Sequence, residues 1–181
     1  RYVQRMQQAV RVLYGHASPS DAFQGTQAAV SALDLNAFLL QVVQNAPAIG
    51  IERVVYTPAS AAIWVLADEF LLEDVITHVL QNAQRYRVPD SDISMRVSVV
   101  AEAAQLAIHD VGPYIAEDRL TRIFEYGETD ASSSPQSSQR GQGLYVARTY
   151  MAKMGGNISA QNDDRGVEFV LTLATAHRSA A

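Results

Sequence analysis

A long amphipathic segment between Asp68 and about Arg87 sets the architecture that this chain can adopt. Its apolar residues recur at helical spacing, and Pro89 and Asp90 then end the pattern. The face that this spacing aligns comprises Leu72, Val75, Ile76, Val79, Leu80, Ala83 and Tyr86. Segments that alternate between apolar and polar residues flank the predicted helix on both sides, which is typical of β-strands. The sequence therefore predicts an α/β protein.

The remaining segments indicate hairpins with helices between them. A turn around Pro58 separates the first two strand patterns, Asp34 is a plausible cap for a helix, and Gly155 and Gly156 end another helix. This mixed order predicts a two-layer α/β sandwich. The predicted strands are residues 51–56, 61–66, 93–99, 106–110, 157–161 and 167–173, and the predicted helices besides the long one are 35–44, 117–124 and 143–154.

Composition excludes several classes of function. With 181 residues, 48% of them hydrophobic, the chain can bury one main core. Its net charge of −5 does not suggest a nucleic-acid surface, so we expect no nucleic-acid partner. The absence of cysteine excludes disulfides, a cysteine nucleophile and a thiolate zinc site. No apolar run reaches membrane-spanning length, and the start at Arg1 without methionine suggests a piece of a longer protein.

Two segments look unlike the rest of the chain. Residues 1–14 have helical apolar spacing, which predicts an amphipathic helix that needs a partner, and residues 15–29 read as a linker. Residues 127–140 hold five serines and Pro135 with almost nothing apolar. We expect this second segment to be mobile.

The long helix also carries a polar stripe beside its apolar face. Asp74, His78, Asn82 and then Arg85 or Tyr86 follow one another at helical spacing. Such a stripe can hold a metal ion and phosphates, although a solvated helix face has the same appearance.

A second candidate site lies at the end of an apolar strand, where Asp110 is followed by Gly112. A buried carboxylate needs a donor, and the exocyclic amine of a purine is a suitable one. An ordinary Asp-Gly turn is the alternative. Further on, Gly141 and Gly143 stand where a polar loop enters a helix, and the exposed amides of a helix start attract phosphate.

In this order, the motifs resemble those of the catalytic domain of bacterial sensor histidine kinases, within the ATPase superfamily shared with type II topoisomerases, MutL proteins and Hsp90 chaperones. Residues 77–86 resemble the N box of that family, 110–112 its G1 box, 122–125 its F box and 141–144 its G2 box. Residues 155–169 are similar to its closing hairpin. The resemblance covers about residues 33–174 and implies a Bergerat-type ATP-binding fold.

The resemblance implies a role for each matching residue. Asn82 would hold Mg²⁺, Arg85 would contact the phosphates of ATP, and Asp110 would accept from the adenine amino group. Residues 127–140 would form a lid, from which Arg140 would reach the γ-phosphate as a catalytic group together with His78 and Asn82. His78 stands where other branches have a glutamate that activates water, which suits a kinase better than an ATPase. The full set of implied nucleotide contacts is Asn82, Arg85, Tyr86, Asp110, Gly112, Ile115, Arg140, Gly141, Gly143 and Leu144.

Two positions depart from the family pattern. Tyr114 stands where the G1 box usually has a second glycine, and a positive φ there would cost a tyrosine about 1 kcal/mol or more. Val167 stands where a threonine is common near the adenine. Both departures leave a degenerate signalling module without catalysis as an alternative to a kinase.

The chain contains no His-Glu-x-x-x-Pro motif of the kind that accepts the phosphate in this family, and we interpret His16, His109 and His177 as incidental. The resemblance implies that residues 1–15 end the second helix of a dimerisation hairpin, 16–32 form a linker, 33–176 form the catalytic domain and 177–181 a tail. The implied partners are ATP, the histidine-bearing hairpin, a response regulator and a second copy of the full-length kinase. The parent would be anchored in the bacterial inner membrane with this domain in the cytoplasm. An anti-sigma-factor serine kinase is the remaining alternative.

Overall fold

The computed structural model of the protein describes Gly25, residues 27–128 and residues 142–176. The helix predicted over residues 1–14, the first part of the predicted linker, and the tail at 177–181 lie outside the described residues. So do Arg140 and Gly141.

Three helices and seven strands form the described part of the chain. In order they are β1 (Ser31–Asp34), α1 (Leu35–Asn45), β2 (Val54–Thr57), β3 (Trp64–Ala67), α2 (Glu69–Tyr86), β4 (Ile93–Val100), β5 (Ala103–Val111), α3 (Gly143–Lys153), β6 (Asn157–Asn162) and β7 (Gly166–Ala174). Short 3-10 helices occupy Ala46–Ile49, Glu117–Arg119 and Arg122–Phe124.

The main sheet has the strand order β2-β4-β5-β7-β6. Antiparallel pairing joins β4 to β5, β5 to β7 and β7 to β6, whereas β2 runs parallel to β4. The apolar faces of the helices and of this sheet share one hydrophobic core. This arrangement confirms the predicted two-layer α/β sandwich, because each layer covers the apolar surface of the other.

Strand β5 lies in the middle of the sheet and carries Asp110 near its end. Alternate residues of β5 face the helices, and Leu106, Ile108 and Asp110 are each at most 3% exposed. The register places Asp110 between Ile93 of β4 and Val167 of β7. The carboxyl group therefore points into the space between the two layers, in the direction that the sequence alternation predicted.

Helix α2 is held at both ends. Asp68 caps its first turn by accepting hydrogen bonds from the backbone amides of Phe70, at 2.9 Å, and Leu71, at 3.1 Å. Just beyond its last turn, the backbone amide of Val88 donates to the carbonyl oxygen of Val111 at 2.7 Å. This second bond brings the end of the helix to the end of β5, so that the two polar motifs of the sequence meet.

The structure differs from the sequence interpretation in three places. The two strand patterns on either side of Pro58 do not pair with each other, because β2 joins the main sheet and β3 pairs with β1 in a separate ribbon. Strand β1 was not predicted, because a strand of four residues shows too short an alternation to recognise. It begins two residues before the expected start of the domain at Leu33. The single helix predicted over 117–124 was wrong: the chain instead makes two 3-10 turns with separate i to i−3 hydrogen bonds.

Candidate functional site

A cavity of about 270 Å³ opens between the end of α2, the end of β5 and the start of α3. This volume is near the lower end of the usual range for small-molecule sites, about 300–1,000 Å³, and is suited to a base and sugar. Its walls combine aromatic, aliphatic and polar side chains. The lining residues are Asn82, Tyr86, Asp110, Pro113, Tyr114, Ile115, Ala116, Arg119, Ile123, Glu128, Leu144 and Val167.

Five of the residues that the sequence singled out therefore come together in one cavity, namely Asn82, Tyr86, Asp110, Ile115 and Leu144. They arrive from three separate parts of the chain, the end of α2, the end of β5 with its following segment, and the first turn of α3. Val167, which the sequence placed near the same ligand, lies opposite Asp110 on β7 and also lines the cavity.

The carboxyl group of Asp110 is the most unusual polar group of this cavity. Asp110 is only 3% exposed, yet no described residue donates a hydrogen bond to its carboxylate oxygens. A buried carboxylate without a donor is costly, since the hydrogen bonds to water are lost and not replaced. The arrangement leaves an acceptor at the cavity wall that a ligand with an N–H group can satisfy.

Burial also changes the acidity of this group. Burial raises the pKa of Asp110 to about 6. The charges of His109 and Arg87 lower this pKa, and the charge of Asp163 raises it. Desolvation disfavours the charged form, so it dominates over the two favourable neighbours. The carboxyl group consequently changes its charge close to neutral pH.

Gly112 is needed here for a reason other than its backbone angles. A Cβ atom at this position would lie 2.8 Å from the backbone carbonyl oxygen of Tyr86 and 3.1 Å from Oδ1 of Asp110. The first distance is shorter than a Cβ atom can accept and the second would force the carboxylate to shift, so glycine lets the end of α2 pack against the end of β5. Tyr114, two residues on, does not have a positive φ, and the strain considered for a tyrosine at this position is absent.

His78 and Gly143 face each other at the start of α3 and do not line the cavity. The Nδ1 atom of His78 lies 3.2 Å from the point that a Cβ on Gly143 would occupy. Burial lowers the pKa of His78, which keeps the imidazole neutral at neutral pH. The close contact brings the helix start directly beside the ring.

Arg85 does not reach the cavity either. Its guanidinium carbon lies 5.1 Å from the centre of the Tyr86 ring, in a cation–π arrangement on the outer side of α2. Arg140 and Gly141, the other residues predicted to meet phosphates, are outside the described residues.

The sequence interpretation gave no individual role to two charged lining residues, Arg119 and Glu128. Glu128 accepts a hydrogen bond from Arg122 at 2.7 Å and lies 4.0 Å from Arg119. Arg119 ends a short 3-10 helix and Glu128 lies in irregular chain, so no periodic spacing relates the two positions. Their opposite charges are the one signal in the sequence, and charge alone does not identify a pair.

Within residues 27–128 and 142–176, His, Asp and Glu side chains form no group of three or more that could hold a metal ion by themselves. The same part of the chain contains no helix with the length and apolar character that crossing a membrane would require.

The residues that build this cavity all lie in a segment that matches a known protein family. Residues 67–177 match the family model described as histidine kinase-, DNA gyrase B-, and HSP90-like ATPase. The chain belongs to this ATPase family. The match confirms the predicted family and includes the N, G1, F and G2 motifs.

Within this ATPase family, the chain is similar to sensor kinases. It is 28% identical over 110 residues to sensor histidine kinase CusS of Escherichia coli K12, which covers 60% of this chain and 23% of CusS. It is 33% identical over 129 residues to sensor protein CzcS of Cupriavidus metallidurans, covering 71% of this chain and 27% of CzcS. The chain thus spans about a quarter of the length of these curated relatives.

A solved structure has the same fold. Full-length ShkA in complex with AMPPNP superimposes with a TM-score of 0.66 and 25% sequence identity, over 84% of this chain and 33% of ShkA. The sandwich of α1, α2 and α3 on the five-stranded sheet is therefore shared with ShkA.

Proposed function

We propose that this chain is the ATP-binding catalytic domain of a sensor histidine kinase. It would transfer the γ-phosphate of ATP to a histidine on a dimerisation hairpin, for relay to an aspartate of a response regulator. The observation that carries the proposal is the buried carboxylate of Asp110, which faces the cavity and has no donor among the described residues. Family membership and the similarity to CusS, CzcS and ShkA support the same function.

The adenine ring suits the inner part of the cavity. Its amino group supplies the N–H donor that the Asp110 carboxylate lacks, and the apolar side chains of Ile115, Leu144 and Val167 offer surfaces for the ring. Tyr86 and Tyr114 add aromatic surface at the wall. A ligand held in this way loses hydration on the base and regains a hydrogen bond to a buried acceptor.

The phosphates would lie towards Asn82 and the first turn of α3. Asn82 offers an amide oxygen for Mg²⁺, an ion that keeps several waters and binds phosphate oxygens with few protein ligands. When bound, Mg²⁺ neutralises charge on the phosphates. Backbone amides at the start of α3, near Gly143, attract anions, and Arg85, Arg140 and Gly141 would add positive charge and amide donors.

We further propose that His78 favours phosphate transfer over the hydrolysis of ATP. A neutral imidazole packed on the start of α3 stands where a carboxylate would activate water, and we expect the chain to hydrolyse ATP slowly as a result. An efficient ATPase rate in this chain would contradict that role. The hypothesis does not affect the proposal for nucleotide binding.

The organisation of the whole protein is also proposed. Residues 33–176 would form the catalytic domain, and residues 1–15 would end the hairpin helix that joins two copies of the kinase. The parent would be anchored in the inner membrane, with this domain in the cytoplasm. The hairpin and the response regulator would be its protein partners.

The first experiment is calorimetric titration of the chain with Mg-AMPPNP. We expect binding to the unmutated chain, and we expect Asp110→Asn to lose most of it, because the amide is an uncharged and weaker acceptor and replaces one carboxylate oxygen with an N–H donor. Asp92→Asn is a matched control, since Asp92 is half exposed and pairs with Arg53 at 2.8 Å, away from the cavity. An unmutated chain that produces no heat of binding would overturn the catalytic proposal.

A transfer assay separates the remaining alternatives. If the histidine-bearing hairpin is supplied as a separate polypeptide, a histidine kinase phosphorylates it, and mutation of its acceptor histidine removes the label. An anti-sigma-factor serine kinase would leave the hairpin unlabelled although it binds ATP. A degenerate module would bind no nucleotide.

A further inference from the structure

The tip of the β6–β7 hairpin makes an unusual contact with the wall of the cavity. Asn162 donates from Nδ2 to the backbone carbonyl oxygen of Ile115 at 2.7 Å, and its Oδ1 accepts from the backbone amide of Ile115 at 3.0 Å. One side chain thereby satisfies both backbone groups of a residue that is distant in sequence. An amide side chain is able to do so because it carries a donor and an acceptor side by side.

The segment that Asn162 holds forms one wall of the cavity. Four successive residues line it, namely Pro113, Tyr114, Ile115 and Ala116. None of them belongs to a helix or strand, so no regular ladder of hydrogen bonds fixes their backbone.

Other backbone bonds reach only the ends of this segment. In the described residues, the amide of Gly112 donates to Arg165 at 3.3 Å, and the carbonyl of Ala116 accepts from Arg119 at 2.8 Å. Between these two points, the hydrogen bonds from the described chain to the middle of the wall come from Asn162. The position of Ile115 relative to Asp110 therefore depends on this side chain.

Asn162 is itself held in place by the next residue. Asp163 accepts hydrogen bonds from the amides of Arg165, at 2.9 Å, and Gly166, at 3.0 Å, which closes the turn of the hairpin. Nε2 of His109 also lies 3.0 Å from the Asp163 carboxylate. The hydrogen bond from the Arg165 amide, helped by those from His109 and Gly166, keeps the pKa of Asp163 below its usual value against the effect of burial. The turn is consequently anchored to β5, the strand that carries Asp110.

We propose that Asn162 is a positioning residue for nucleotide binding, which holds the backbone of Ile115 so that the wall of residues 113–116 keeps its place opposite Leu144 and Val167. It acts through Ile115 and does not itself line the cavity. The inference rests on the proposed function, since it concerns the shape of the adenine pocket.

Three variants of the full chain test it. Asn162→Ala removes both hydrogen bonds, and Asn162→Asp keeps the size and the acceptor but cannot donate to the carbonyl at neutral pH. Asn157→Ala is the matched control, because Asn157 is an exposed residue of the same type at the other end of β6. Affinity for Mg-AMPPNP is measured by calorimetry in about 0.5 M salt, which screens the charge that Asn162→Asp adds.

The second measurement follows the wall directly, through hydrogen exchange of the Ile115 amide observed by nuclear magnetic resonance. We expect Asn162→Ala to accelerate this exchange about tenfold or more, while the amide of Ile108 inside β5 stays protected. Nucleotide affinity should fall roughly tenfold for Asn162→Ala, fall at least as far for Asn162→Asp, which sets a carboxylate oxygen against the Ile115 carbonyl oxygen, and stay unchanged for Asn157→Ala.

The outcomes separate this inference from the proposed function. If the unmutated chain binds no nucleotide, both fail. If it binds and Asn162→Ala binds equally well, the positioning role alone is wrong. A merely structural role would lower affinity only in proportion to the unfolded fraction and would expose Ile108 together with Ile115, which would also overturn it. Should Asn162→Ala fail to fold, the same comparison is made with Asn162→Asp.

Discussion

Asp110 combines three properties that a single residue rarely has together: it is charged in water, buried in the protein and left without a donor by the described residues. Strand alternation explains the burial, because the position after Ile108 on the same face must also point to the helices. Packing alone does not explain a buried carboxylate without a donor, since an apolar side chain at this position would avoid the cost of desolvation. The proposed ligand, which brings its own N–H group, would account for the carboxylate.

The acidity of Asp110 leads to a prediction about pH. With its pKa at about 6 in the free protein, the group is ionised at pH 7 and protonated at pH 5. In the proposed complex the adenine amino group would donate to the ionised carboxylate, so affinity should be nearly constant above pH 7 and fall by up to about tenfold per unit below pH 6. Binding near pH 6 should release a proton, which titrations in two buffers of different ionisation enthalpy detect.

Phosphate groups also titrate near this pH, so adenosine serves as the control ligand for that prediction. An affinity for adenosine that does not change between pH 5 and 7 would contradict the role of Asp110.

The raised pKa of Asp110 also affects the stability of the free protein. Because the folded pKa is raised, the proton favours the folded state, and this group's contribution to stability declines as pH rises from about 4 to about 6.

At the scale of secondary structure, α2 forms one wall of the cavity. It supplies Asn82 and Tyr86 to the cavity and packs its apolar side against the sheet. Its start is capped by Asp68, which also accepts a hydrogen bond from the backbone amide of Ala29 at 2.7 Å. The cap therefore connects the helix to the chain that precedes β1.

Loss of this cap should destabilise the protein more than loss of an exposed one. Asp68→Ala removes three hydrogen bonds and leaves the buried amide of Leu71 without a partner, and we expect a cost of about 2 kcal/mol in the free energy of unfolding. Asp34→Ala is the matched control, because Asp34 caps α1 with one exposed bond at 3.2 Å to Ala37, and its loss should cost under about 1 kcal/mol. Denaturant unfolding measures both values, and equal costs would show that the buried bonds add nothing.

For the whole molecule, one core supports both layers and the site. Phe169 of β7 is fully buried, and its ring meets that of Phe124 edge to face with centroids 6.2 Å apart. Phe124 belongs to the second 3-10 turn, close to the cavity residue Ile123. The contact connects the centre of the sheet to the chain that borders the ligand cavity.

Removal of the Phe169 ring should therefore affect folding and nucleotide binding together. Phe169→Ala should lower the free energy of unfolding by about 3–5 kcal/mol, because it removes a fully buried ring that its neighbours cannot replace. Val100→Ala, at a residue that is 57% exposed, should change it by less than about 0.5 kcal/mol. Denaturant unfolding followed by both fluorescence and nucleotide binding should show one coincident transition, and two separate transitions would contradict a single core.

Local patterns in the sequence were sufficient for much of this protein. The long helix from its 3.6-residue period, the β4–β5 and β6–β7 hairpins, and the inward direction of Asp110 follow from interactions between residues a few positions apart, which any reader of the chain can count. The order of the motifs was enough to identify the family that the family model then matched. These features depend on repetition along the chain and need no knowledge of distant contacts.

The tertiary structure alone decided which distant segments meet. Three contacts depend on the path of the irregular segments between elements, and no local period in the sequence encodes them. They are the parallel pairing of β2 with β4, the ribbon of β1 with β3, and the contact of Glu128 with Arg119. Asn162 shows this most clearly. Its partner Ile115 lies in the segment that follows β5, and both hydrogen bonds of the Asn162 side chain are to backbone atoms. Backbone groups are the same in every residue, so a side chain that binds them leaves no complementary residue type in the sequence to reveal the pair.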